Sequence, residues 1–465
     1  MPQLAAAARS APAAPAGRPR ATLAVTAAAT AVALMNYTAP MLTLPDMAAA
    51  FGTPASARAW LLNGTPLGLA VLLLVAGSLA DAHGRRRVFL LGTLTLGLTT
   101  ALGAFAGSTV TFTLARIAQG TASAAVLAGS LGLLAQAYPA GRDRIRATGI
   151  WGASVSGGIA LGPLLAGALS LADWRLAYAV LGAAALVTAA VGARTLAREE
   201  RLPAAPRPDV TGAVALGLAL TALLTALTLG RDGWLRLPVL LLLLASAALT
   251  ALFAAVEHRG RAPMIDLALL RRPAFLASTL GALFTGLAVI GLFSVVPALL
   301  QGGAGMSPLG AAALFLLWSG TAFVAALQAR RLAGRLSAAH QLALGFVLSA
   351  AGVLALLGAL DGPWPRLLPG LVVAGAGSGL LNAALPRLAV DSVPPERAAM
   401  GSGANNTARY IGSSAGVALT LALVTTGPDT ALLVSAALAL TGGALTLALG
   451  RSTPASPRRR AGRRW

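Results

Sequence analysis

The chain has 465 residues, of which 57% are apolar and only 11% charged, and its mean hydropathy is +0.78. Soluble domains carry roughly 25% charged residues, so this composition excludes an ordinary soluble protein and points to the membrane class. The absence of cysteine excludes disulfides, thiolate metal sites and cysteine nucleophiles, and the net charge of +21 sits in short loops, where it sets topology rather than holding nucleic acid.

Apolar windows of about 20 residues recur along nearly the whole length, and their continuous rather than alternating character predicts helices, not a barrel. Residues 1–21, rich in Ala and Pro with Arg9, Arg18 and Arg20, read as a cytoplasmic tail. The run that follows is too long for a signal-peptide core and reads as a retained first span. Six spans are expected at 22–44, 59–80, 88–107, 110–135, 146–170 and 174–196, forming a first bundle over 22–196. After a linker at 197–209 come two further spans, 210–229 and 237–256, and a loop at 257–273. A second six-span bundle over 274–450 has spans at 274–300, 309–329, 341–360, 366–388, 399–424 and 430–450. Residues 451–465 form a basic tail suited to anionic lipid.

Arginine placement supports this count. All 35 basic residues are arginine. With both termini inside, Arg85–Arg87, Arg142, Arg144, Arg146, Arg194, Arg198, Arg259, Arg271, Arg330, Arg335, Arg387 and Arg397 fall in inner loops. Outer loops and helix ends hold only Arg58, Arg175, Arg231, Arg236 and Arg366, which is the positive-inside bias. Arg116 and Arg409 lie within spans. Pro40 and Pro297, Gly77 and Gly334, and Gly120 and Gly377 share one sequence offset, and Gly162 and Gly416 nearly share it. Two matched halves with a pair of spans inserted between them would place a substrate site between the halves, near mid-membrane.

The loop Gly77-Ser-Leu-Ala-Asp81-Ala-His-Gly84-Arg85-Arg86-Arg87 carries the most information. Gly77 lets its helix approach a neighbour closely. Asp81, at an inner helix end, can accept from a facing helix N-terminus. Arg85 and Arg86 can pair with Asp81 or with lipid phosphate. Together Gly77, Asp81, Gly84, Arg85 and Arg86 read as a latch on the inner face; the plainer reading is a topology anchor. In the fifth span, Gly158, Gly162, Pro163 and Gly167 put small residues on one face and free a backbone carbonyl, the makings of a bendable seam against the other half. Ordinary small-residue packing accounts for the same pattern.

These motifs resemble the major facilitator superfamily, and most closely its fourteen-helix drug:proton antiporter branch. The Gly77–Arg87 segment resembles that family's loop between spans two and three. Arg116-Ile-Ala-Gln119-Gly120 resembles its span-four signature, and Gly158-x-x-x-Gly162-Pro163-x-x-x-Gly167 its antiporter signature. Trp174-Arg175 resembles the pair that opens span six, and Asn405, Asn406, Arg409, Gly412 and Gly416 resemble helix thirteen of that branch. The resemblance implies an all-α membrane protein with the major facilitator fold: two six-helix bundles plus two inserted helices, fourteen in all, in the plasma membrane. It also implies efflux of small organic molecules by alternating access with protons as the coupling ion, without a cofactor and as a monomer.

One position departs from the family. Asn36 stands where an acid usually does, and asparagine does not titrate. The remaining acids near that helix path are Asp46, just past the first span, and Asp81. A charge at mid-membrane costs about 2.5–3.5 kcal/mol on insertion scales. Arg116 and Arg409 are therefore expected to face a shared wet cavity with Asn36, Tyr37, Gln119, Asn405 and Asn406, completed by an acidic substrate group; neutral, apolar substrates are the competing expectation, and snorkelling toward the outer surface is the plainer reading of Arg116. Trp60, Asn63, Trp151, Trp318 and Asn382 are further candidates for its lining. The three histidines, His83, His258 and His340, are expected in loops; with no buried acid, base or nucleophile a membrane enzyme is not expected. A nutrient importer of the same fold, or a sensor derived from it, are the alternatives.

Overall fold

The structure, a computed structural model, describes residues 19–138, 142–197, 210–230, 233, 235–259, 269, 271–332, 335–360, 362–393 and 398–451. Among them, ten helices are long and apolar enough to cross a membrane, and two shorter apolar helices accompany them, Val214–Gly230 and Ala338–Leu354. This is a multi-pass membrane protein. Gly334, the expected counterpart of Gly77, and both tails lie outside the described residues.

The first rod is broken in two: α1 (Pro19–Thr38) and α2 (Pro40–Ala50). Then come α3 (Arg58–His83), α4 (Arg85–Ala104), α5 (Thr109–Ala137), α6 (Arg142–Leu169) and α7 (Arg175–Thr195), followed by α8 (Val210–Gly230) and α9 (Leu237–Arg259). The next rod is also broken. It runs from α10 (Pro273–Phe284) through a π-helical stretch, Thr285–Ile290, and α11 (Gly291–Phe293) to α12 (Val296–Gly302). The chain ends with α13 (Pro308–Leu332), α14 (Ala338–Leu354), α15 (Leu367–Asp391), α16 (Ala398–Leu423) and α17 (Pro428–Arg451). Each of the three histidines lies in a helix end rather than a loop: His83 closes α3, His258 sits in the last turn of α9 and His340 in the first turn of α14.

The packing repeats. In the first set, α1 lies against α5, α6 and α7, α3 against α5, and α4 against α5 and α7. In the second set, α10 lies against α15, α16 and α17, α13 against α15, and α14 against α15 and α17. Across the two sets the principal contacts are α3 with α16 and α6 with α13, again a matched exchange. The paired prolines explain the paired breaks. Pro40 and Pro297 each stand in the first turn of the segment after the break, where a missing N–H costs nothing.

Glycines let the helices touch. A Cβ on Gly158 or Gly162 would fall 2.5 Å from Ala31 O or 2.3 Å from Thr38 Oγ1, so α6 lies directly on α1. In the second set Gly412 and Gly416 do the same against Leu283 and Leu287. This corrects the expected seam. Gly158 and Gly162 pack within their own half, and of the four seam residues only Gly167 meets the other half, at Pro308 and Ala312 of α13. Pro163 is buried inside α6.

The inserted pair is lopsided. α8 packs on both α3 and α16, whereas α9 packs on α8 and leaves Leu240, Leu241, Leu244 and Leu252 exposed, as a lipid-facing helix would.

Candidate functional site

Three features define the site: a buried polar clamp in the first half, a seal where the halves meet, and a cleft beneath the seal.

The clamp follows from Pro40. In a continuous helix Asn36 O would accept from the N–H four residues on, but that residue is proline, which has none. Arg116 of α5 supplies the missing donor. Its Nη1 donates to Asn36 O at 2.8 Å, and its Nη2 to Tyr37 O at 3.3 Å. Nη1 also donates to Asn36 Oδ1 and, at 2.8 Å, to Gln119 Oε1. The amide nitrogens are used as well: Asn36 Nδ2 donates to Thr100 Oγ1 and Gln119 Nε2 to Thr99 O at 3.1 Å. Arg116 and Gln119 are 0% exposed. Arg116 thus does not face a wet cavity, contrary to expectation; the carbonyls freed by the break in α1, all neutral, bind it inside the first half.

The arginines expected in a loop instead stand in the first turn of α4, with only Gly84 separating it from α3, and they too are held by carbonyls. Arg85 Nη1 donates to Gly132 O at 3.2 Å, and Arg86 donates to Ala193 O at 2.8 Å and Leu196 O at 3.2 Å, capping the end of α7 as a cation should. Gly84 joins α3 to α4 with φ at +94°, a conformation that disfavours any side chain. Gly77 has no atom within 4 Å of where a Cβ would stand, so the close approach expected of it is absent here. The side chain of Asp81 lies outside what the structure describes.

The seal lies on the side away from the α3–α4 junction, where α16 meets the outer part of the first half. Tyr37 of α1 meets α16 twice: its hydroxyl is 3.2 Å from Ser413 Oγ, and its ring lies edge-on to Tyr410 at 5.9 Å. Asn63 of α3 donates to Ser414 O of α16 at 3.1 Å and to Thr228 Oγ1 of α8 at 3.3 Å. Gln301 of α12 donates to Leu42 O of α2 at 3.0 Å.

Toward the α3–α4 junction, Gly149, Gly152 and Gly157 of α6 have no atom within 4 Å of where a Cβ would stand, so that part of α6 faces open space. A pocket there has an empty volume of about 330 Å³, counting its open mouth. Ser156 and Ile159 of α6 line one wall, and Trp318, Ser319 and Phe323 of α13 with Asn382 of α15 line the other. Trp318 stacks on Phe293 at 4.4 Å, and its indole N–H is buried without a hydrogen-bond partner.

The expected lining residues therefore divide. Trp318 and Asn382 line the cleft, Asn63 and Tyr37 seal it, and Trp60 packs against the core. Trp151 instead ties α6 to α1 and α5 through Thr30 and Ser130, both at 2.9 Å. Asn405 turns away to Ser278 of α10, 2.9 Å from both O and Oγ, and Asn406 donates to Ser402 O of its own helix at 3.0 Å. Arg409 is half-buried, with its guanidinium 5.5 Å from the Tyr410 ring centroid. The partners Ser413, Thr100 and Thr228 were not singled out in the sequence, where serine and threonine within apolar runs carry no distinguishing signal.

A family model described as Major Facilitator Superfamily matches residues 26–417 and, in a second overlapping match, 278–464. The chain belongs to the Major Facilitator Superfamily. Among curated relatives, this facilitator is 33% identical to a probable actinorhodin transporter of Streptomyces coelicolor, over 83% of this chain and 69% of that protein. It is 32% identical to a puromycin resistance protein of Streptomyces alboniger, over 88% and 82%. It is 31% identical to a multidrug resistance protein of Mycobacterium tuberculosis, over 81% and 70%. A solved bacterial homologue of the human lysosomal transporter Spinster, inward-facing and occupied, superposes with a TM-score of 0.69 at 15% identity, covering 96% of this facilitator and all of that chain. An auto-inhibited POT family peptide transporter superposes equally well, 0.69 at 16% identity, over 95% and 99%.

Proposed function

We propose that this facilitator exports antibiotic-like small organic molecules across the plasma membrane by alternating access, and that it is not an enzyme. The observation that carries the reading is the cleft itself. It is closed at one end by Tyr37–Ser413 and Asn63–Ser414 and open at the other, between halves whose packing is repeated. The substrate class rests on relatives named for actinorhodin transport and for puromycin and multidrug resistance.

In this reading fourteen spans, both termini and the Arg85–Arg87 loop are arranged so that the loop side is cytoplasmic. Residues 22–196 and 274–450 are then the two moving bundles and 210–256 the inserted pair. The open cleft takes substrate from the cytoplasm. Gly77, Asp81, Gly84, Arg85 and Arg86 latch that face once it closes: the open space beside Gly77 is room for a helix to move into. Protons, if they drive the cycle, enter elsewhere than Asn36, and the protein acts as a monomer on the bilayer and a small organic substrate, without nucleic acid.

The test is accumulation in everted membrane vesicles, with puromycin as the probe and a pH gradient imposed or collapsed. Uptake into everted vesicles above that of vesicles lacking the protein is expected. Uptake only into right-side-out vesicles would make it an importer; no movement in either orientation would leave a sensor.

A further inference from the structure

We infer that Arg409 is an anion anchor between the two halves, and that the preferred cargo is an aromatic organic acid that presents a carboxylate or acidic enolate to it; this rests on the export reading above. The argument begins with position. Arg409 and Ser413 are four residues apart on α16, so they share a helix face about 6 Å apart along the axis. Ser413 meets Tyr37 of α1, so that face looks across to the first half. Arg409 stands one turn before Ser413, toward the N-terminus of α16, whereas the pocket described above is lined by α6, α13 and α15. Asn406, half-buried, continues the same side a turn further toward that N-terminus.

Valence comes next. Among the described residues, two arginines lie well inside the spans, Arg116 and Arg409. Arg116 has both terminal nitrogens bound to carbonyls and is wholly enclosed. Arg409 makes no hydrogen bond or ion pair among the described residues; its Nε is buried without a partner, as that of Arg116 also is, so the contrast lies in the terminal nitrogens. Its recorded neighbour is the Tyr410 ring, which contacts a cation through its face and leaves the N–H edge free. A permanently charged guanidinium inside a membrane domain requires either a counter-charge or a set of neutral acceptors such as Arg116 has, and Arg409 has neither among the described residues. Of the described acids, Asp46 lies within α2 beyond the seal, and Asp143, Asp173, Glu257, Asp391 and Asp429 lie in loops or at the ends of helices. The missing charge is then one that arrives and leaves with the cargo. Tyr37 and Tyr410 beside it supply aromatic walls, and the fork of N–H donors suits the planar oxygens of a carboxylate.

The test uses purified protein and vesicles with a matched pair of probes, 2-naphthoate and the neutral 2-naphthamide. Equilibrium dialysis should show naphthoate bound about tenfold or more tightly than naphthamide, as a hydrogen-bonded charge warrants. Arg409→Gln should abolish that preference while leaving naphthamide binding within about twofold, and Arg409→Lys should retain part of it. Equal affinity for the two probes in the wild type overturns the inference, as does an Arg409→Gln variant that weakens both by the same factor, the mark of a structural role. The transport arm is separate: everted vesicles that fail to accumulate either probe or puromycin, from protein that still prefers naphthoate in dialysis, would refute export and leave the anion anchor standing.

Discussion

Arg116 shows how a single position can carry the right residue for a different reason from the expected one. Its burial is sustained by four neutral oxygens, two of which are free because Pro40 interrupts α1. Replacing it with alanine strands those acceptors, at about 1–3 kcal/mol for each group left unsatisfied. Arg116→Ala is therefore expected to lower Tm in detergent by many degrees, and Arg116→Lys to recover little, because one ammonium cannot span acceptors on α1 and α5 at once. Since Asn36 does not titrate, the wild-type clamp is insensitive to pH. Asn36→Asp should give transport a pH dependence at this site that the wild type lacks, measured as efflux against pH. Asp46, past the first span on the sealed side, has the opposite character. Burial, and secondarily Asp173, raise its carboxyl above the ordinary carboxylate range, so the folded protein favours the protonated form. That contribution is present at acid pH and is lost as pH rises through the ordinary value to the raised one. Asp46→Asn should therefore have the higher Tm at neutral pH, with the difference closing as the solution is acidified.

At the scale of the element, glycine placement separates fold from motion. On the second broken rod, a Cβ at Gly286 would stand 2.1 Å from Arg409 O, and one at Gly412 2.0 Å from Leu283 O. Both obstacles are backbone, so the rod and α16 would have to part, at about 1–3 kcal/mol. The π-helical stretch between them is held open by Ser435 of α17, which donates to Ala288 O at 2.7 Å, and such stretches favour functional sites. Gly77 stands in contrast, with empty space beside it. Gly286→Ala should lower Tm, whereas Gly77→Ala should leave Tm unchanged and slow transport, because it matters only when the loop side closes. Equal Tm losses for the two would remove the latch reading of Gly77.

At the scale of the whole molecule, the seal decides which side sees the cleft. Asn63 links α3, α16 and the inserted α8 through one amide, which gives the inserted pair a role: α8 braces the line where the two halves meet. The chain has no cysteine, so Ser156→Cys places a single thiol in the cleft. An impermeant thiol reagent should reach it in everted vesicles and not in right-side-out ones. Adding Asn63→Ala should open it to reagent from the sealed side by about fivefold or more, in keeping with the loss of a hydrogen bond of ~1 kcal/mol. Unchanged labelling would place the seal elsewhere.

The sequence by itself determined the membrane class, the helical character of the spans and the family; the Gly77–Arg87 segment it marked as a loop is helical on both sides of Gly84. These follow from local quantities: hydropathy over about 20 residues, proline and glycine at particular offsets, and charge in short loops. It also marked Arg116, Arg409, Tyr37, Asn63, Trp318 and Asn382 as unusual. Only the tertiary structure decided which of them belong together. Arg116 turned inward because Pro40 freed carbonyls on a helix that packs against α5, and Asn405 turned to Ser278 while Arg409, four residues later on the same helix, kept its charge unmatched. The physical reason is that a hydrogen-bonding group goes to whichever acceptor the packing brings near, and that choice is made by helices hundreds of residues apart in the chain.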